Sequence, residues 1–173
     1  KLKALKVSTA TLSVPLLPAP SATQSVHPPA LVELLSTMAN TSVLADYRFD
    51  KYMTREDNKS VPLTSLTLLA ESLPPNAAQC VREAVIVGEC TNYARDLANE
   101  RAEVATPAYY EQQARQLQAE HATMLDIDVL QYEDLKQHGL NLIAAVGQGA
   151  PVLPRLVLLT YRGNPDSTGT ELC

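Results

Sequence analysis

The chain has 173 residues, 46% of them hydrophobic and 19% charged, with a formal net charge of −5. That length is one medium domain or parts of two, and such a chain can bury roughly 70% of its unfolded surface without staples. An acidic chain with no basic run is a poor electrostatic match for nucleic acid, and no apolar run approaches the roughly 20 residues of a membrane span.

The amino-terminal KLKALKVSTATLSVPLLPAP sets lysines before apolar residues, as a signal peptide does. Ser and Thr interrupt its apolar run, however, and no small-x-small cleavage site follows. It reads as a strand, with Leu5, Val7 and Thr9 alternating, closed by a proline-rich exit. His27-Pro28-Pro29 opens a helix with Leu31, Leu34, Leu35 and Met38 on one face. YRFDKYMTREDNKS (47–60) is charged and turn-rich, an exposed connection. LTSLTLLA (63–70) alternates as a strand and is stopped by Pro74-Pro75.

Asn76 is placed to cap a long helix reaching about Asn99. Ile86, Cys90, Tyr93 and Leu97 form one apolar stripe along it, and Ala77, Val81, Ala84 and Gly88 form a second. So wide an apolar arc predicts a helix buried on more than one side, joining two packed units. Thr106-Pro107 starts another helix, Thr as cap and Pro at the first helical position, with Tyr110, Ala114 and Leu117 sharing a face.

LDIDVLQY (125–132) alternates as a strand, Leu125, Ile127 and Val129 inward and the acids outward. YEDLKQHG is a short helix closed by Gly139. In LIAAVGQGAPVLPRLVLLTYRG (142–163), two apolar runs flank a glycine turn and read as adjacent core strands. From residue 76 the predicted order is helix, helix, strand, helix, strand, strand, an α/β layout.

GQGAP invites a test as a phosphate loop. A dinucleotide fingerprint needs a third glycine, where the chain has Val152, and a helix opening after it, where the chain has Pro151, Pro154 and a strand-like run. A P-loop needs Gly-Lys-Ser/Thr, which is absent. HExxH, CxxC pairs and GxSxG are absent as well. His27, His121 and His138 are scattered near predicted element ends, as solvated or capping histidines are. Asp126 and Asp128 share a strand face; with help they could hold a hard cation, but they read as a solvated outer face.

Cys80, Cys90 and Cys173 are an odd, widely spaced set. Cys80 and Cys90 sit in one predicted helix, about 15 Å apart along its axis, too far for a disulfide or a shared metal. They read as small buried apolar residues of a reducing compartment, which points to a cytoplasmic protein. Adjacent helical residues do not face each other, so Arg95-Asp96 is no functional pair. Asn92, Arg95, Asp96 and Asn99 are expected to form a polar network that fixes the helix exit.

The run NYARDLANERAEVATPAYYEQQA (92–114) resembles the segment that links the two domains of the leucyl aminopeptidase (cytosol aminopeptidase) family, roughly N-x-x-R-D-L-x-N-x-P-x-N-x-x-T-P. Asn92, Arg95, Asp96, Leu97, Asn99, Thr106 and Pro107 match; Arg101 and Glu103 stand where the family has Pro and Asn. Gly139, Val146, Gly147, Gly149, Pro154, Tyr161 and Gly163 match a second family pattern, from which Leu140, Asn141 and Ala150 depart. YRFDKY (47–52) looks like the segment before the family's linker helix.

The resemblance implies an α/β fold in three parts. Residues 1–60 would be the C-terminal part of an N-terminal α/β domain, 61–99 a linker strand and interdomain helix, and 100–173 the first helices and strands of the catalytic domain. It implies a dimetal enzyme, with two divalent ions (Zn or Mn, possibly Mg), that removes N-terminal residues from peptides through metal-activated water. It also implies a homohexamer, a dimer of trimers, with peptide substrates; some aminopeptidases of the family bind DNA, but the acidic balance of this chain speaks against a nucleic-acid partner, and its apolar runs are too short for a membrane span. The family's ligands come from G-K-G, D-S-G-G and N-T-D-A-E-G-R motifs, none of which occurs here. No catalytic, metal-binding or substrate-binding residue is therefore carried over to this chain. The alternative expectation is a non-catalytic scaffold paralogue that keeps the fold and the assembly surface.

Overall fold

The computed structural model describes residues 8–14, 28–54, 61–70 and 73–163. The chain divides into two compact units, Lys1–Asn99 and Glu100–Cys173.

The first unit contains β1 (Thr9–Ser13), α1 (Pro28–Asp46), β2 (Ser65–Leu69) and α2 (Ala77–Asn99). β1 and β2 pair in parallel, Thr9 opposite Ser65 through Ser13 opposite Leu69. Both strands alternate exposed and half-buried residues. Thr9, Thr11, Ser13, Ser65 and Thr67 form a hydroxyl-rich outer face, and Ala10, Leu12, Leu66 and Leu68 turn inward. The core gathers Val14, Leu35 and Ala77, with Leu31, Leu34, Met38, Leu68, Ala70 and Val81 packed on it. The helix face expected for α1 is thus the one it buries. Of the predicted amino-terminal strand, Leu5 and Val7 lie outside the described residues, and β1 covers the later part.

α1 packs along α2, and buried Gly88 of α2 faces Val43 of α1. A Cβ at that position would lie 2.9 Å from Val43 Cγ1 and 3.0 Å from its Cβ. Only one of the two predicted stripes on α2 is used. Ala77 and Gly88 are buried and Val81 and Ala84 half-buried, whereas Ile86, Cys90 and Tyr93 are exposed and Leu97 is half-buried. Among the described residues of the first unit the helix is covered on one face, by α1, and the expectation of burial on more than one side is not met there. The same geometry corrects the cysteine reading: Cys90 is exposed, Cys80 is half-buried, and both are free thiols.

The second unit contains α3 (Pro107–Glu120), β3 (Leu125–Leu130), α4 (Tyr132–Gln137), α5 (Asn141–Gly147) and β4 (Leu156–Tyr161). Thr106 caps α3 as expected, its side chain accepting from Tyr109 N at 3.3 Å, and Pro107 opens the helix. β3 and β4 are antiparallel, Leu125 opposite Tyr161 through Leu130 opposite Leu156. Leu135 of α4 is fully buried, and Ala144 and Pro154 are buried with it. Gly139 has φ +72°, a left-handed turn that ends α4 at little steric cost to glycine.

Two expectations are corrected here. Residues 142–146 are the body of α5, so the final elements run helix, helix, strand rather than helix, strand, strand. An unbroken apolar run of five has no period to separate helix from strand, and Ala144 and Ala145 favour the helix. GQGAP therefore follows a helix and leads through a coil into β4. Gly147 is needed for space: a Cβ there would lie 2.5–2.7 Å from three ring atoms of Pro154. Gly147→Ala should cost about 1–3 kcal/mol in urea unfolding, because a proline ring inside the core has nowhere to move; an unchanged midpoint would contradict this packing.

The second concerns α3: of the face shared by Tyr110, Ala114 and Leu117, Ala114 and Leu117 are half-buried, but Tyr110 is 41% exposed and the buried residue is Glu111.

Candidate functional site

Two polar clusters stand out, one in each unit. The first joins the end of α1 to α2. A helix leaves its last four carbonyls without intrahelical partners. In α1 these include Val43 and Leu44, and α2 supplies donors to both. Asn92 Nδ2 donates to Val43 O at 3.1 Å, and Arg95 Nη1 donates to Leu44 O at 3.2 Å. Arg95 Nη1 also donates to Asn92 Oδ1 at 3.2 Å, which fixes both side chains. The Arg95 guanidinium lies 5.4 Å from the centroid of the Tyr47 ring.

The Tyr47 hydroxyl donates to Asp96 Oδ1 at 2.9 Å and accepts from Asn99 Nδ2 at 3.0 Å. Burial, reinforced by the Asp96 carboxylate, raises the Tyr47 phenol above its ordinary value. Higher up, Asn40 Nδ2 donates to Ala84 O at 3.1 Å. The network expected from Asn92, Arg95, Asp96 and Asn99 is present, and what it fixes is the end of a second helix. Tyr47, Val43 and Leu44 complete it from 49 to 52 residues upstream along the chain. No local spacing in the sequence could have paired them.

The second cluster was not legible in the sequence. Glu111 is buried among three donors. Arg115 Nε and Nη2 reach its Oε1 at 2.8 and 2.7 Å, Gln131 Nε2 reaches Oε2 at 3.3 Å, and Arg155 Nη1 pairs with Oε2. These bonds, Arg155's first, hold the Glu111 carboxyl down at about 2 against an ordinary 4.5. One carboxylate thus ties α3 to the start of α4 and to the lead-in of β4. Both oxygens of the carboxylate are met by donors from these elements, so the arrangement serves to hold them together.

The histidines and acids behave as the sequence predicted. His121 and His138 follow the C-terminal ends of α3 and α4; His27 lies outside the described residues. Asp126 and Asp128 are exposed on the outer face of β3, and Asp126 Oδ2 accepts from Arg162 Nε at 2.6 Å. Among the described residues no group of three or more His, Cys, Asp or Glu side chains could hold a metal ion. Among them, too, no helix is long and apolar enough to cross a membrane.

With this geometry in place, the relatives can be considered. Residues 92–172 match the model of the cytosol aminopeptidase family, catalytic domain. The probable cytosol aminopeptidase of Geobacter sp. (strain M21) is 35% identical over 135 residues, 78% of this chain and 27% of the relative. The chain belongs to the cytosol aminopeptidase family. The probable cytosol aminopeptidase of Syntrophotalea carbinolica is 32% identical over 140 residues, 79% of this chain and 28% of its own length. The chain thus spans about a quarter of the length of these curated relatives.

Solved structures agree on the fold. The bottromycin maturation enzyme BotP, determined in complex with Mn, is 29% identical with a TM-score of 0.69, covering 91% of this chain and 30% of that protein. A mutant of tomato leucine aminopeptidase shares the fold with a TM-score of 0.79 over 98% of this chain and 32% of its own, at 18% identity. The motif residues Asn92, Arg95, Asp96, Asn99 and Thr106 are, in this chain, clamp and cap residues. At the departures from the family pattern, Arg101 N donates to Oε1 of buried Glu100 at 3.0 Å, and Asn141 begins α5.

Proposed function

We propose that the polypeptide to which this segment contributes is a metal-dependent aminopeptidase that removes N-terminal residues from peptides, as a hexamer in the cytoplasm. The observation that carries this reading is the signature from Asn92 to Pro107 within a continuous match of 135 residues to a cytosol aminopeptidase. Residues 1–60 are assigned to the end of an N-terminal domain, 61–99 to the linker strand and interdomain helix, and 100–173 to the opening of the catalytic domain.

The Mn complex of BotP supports divalent metal use in the whole protein, and we infer two ions of the Zn, Mn or Mg class. The described residues offer no metal centre, and no step of the hydrolysis is assigned to them. Their contribution is positional: they build the two clamps and the β3–β4 pair.

A second reading, a scaffold without chemistry, draws support from Arg101, Glu103, Leu140, Asn141 and Ala150, which depart from the family pattern. Hydrolysis of leucine p-nitroanilide with added Mn²⁺ separates the two. A longer native polypeptide carrying this segment should turn over the substrate and lose activity in EDTA, while the 173-residue chain alone stays at the metal-buffer background. A native polypeptide that takes up Mn²⁺ yet leaves the substrate intact would establish the scaffold reading.

A further inference from the structure

We draw no further inference here: the strongest candidate, the exposed apolar stripe of Ile86, Val87 and Cys90 along α2 in the first unit, carries nothing because nothing in the structure shows what covers it.

Discussion

Replacing Glu111 by Ala is expected to destabilise the second unit by about 3 kcal/mol, the range for removing one partner of a buried ion pair. The Glu111 and Arg155 side chains are only 12% and 18% exposed, so the arginine would keep its charge with no carboxylate to meet it. Arg155 Nε is already buried without a partner among the described residues, which leaves the guanidinium little else to turn to. Urea unfolding of the pure chain measures the loss, and a change below about 1 kcal/mol would show the cluster to be a surface pair in solution. Adding Arg155→Met to Glu111→Ala should recover most of the stability, because the charge and its partner are then removed together.

The same carboxylate predicts a pH dependence. Its folded-state value, about 2, lies below the ordinary 4.5, so the unfolded chain holds the proton more tightly. The contribution of Glu111 is fully present above about pH 4.5 and is lost as the pH falls toward 2. Glu111→Ala should flatten the stability profile in that window and leave the profile above pH 5 parallel to the parent.

Gly88→Leu should destabilise the first unit by about 2–4 kcal/mol. Leucine raises the intrinsic helix preference of α2 by about 1 kcal/mol over glycine. Against this, its first side-chain carbon alone would stand 2.9 Å from Val43 Cγ1, and three more must find room between two packed helices. Overpacking of that size commonly costs 1–3 kcal/mol or more. Separating the helices would also stretch Asn92–Val43 and Arg95–Leu44, which lie one and two turns further along. Thermal unfolding should show a drop of roughly 10 °C or more. Gly88→Ala is the control: its small clash and its helix gain nearly cancel, within about 1 kcal/mol. A Gly88→Leu chain as stable as the parent would rule out the close approach.

Elements set by local chemistry were readable from the sequence. Thr106-Pro107 announces α3, Asn76 precedes α2, Gly139 closes α4, and the Leu31–Met38 face is the one α1 buries. Legibility ended where the answer depends on a distant partner. LIAAV is apolar at every position, so only packing decides that it is a helix. Ile86, Cys90 and Tyr93 have the spacing of a buried stripe, yet no neighbour in the first unit covers them. Glu111 looks like any surface glutamate until Arg155, 44 residues later, is brought beside it. The motif from Asn92 to Asn99 was legible as a network, but its targets on α1 were not.

That motif has a practical consequence for anyone cutting this polypeptide into pieces. The match to the family's catalytic-domain model starts at Asn92, while the compact second unit starts at Glu100. A fragment begun where that catalytic-domain match starts would carry away Asn92, Arg95, Asp96 and Asn99. It would leave the end of α1 without the donors to Val43 and Leu44, and Tyr47 without its bonds to Asp96 and Asn99, and would gain a loose helical stretch in exchange. The scissors belong after Asn99: the ancestry of a segment and its mechanical ownership differ here by two turns of helix.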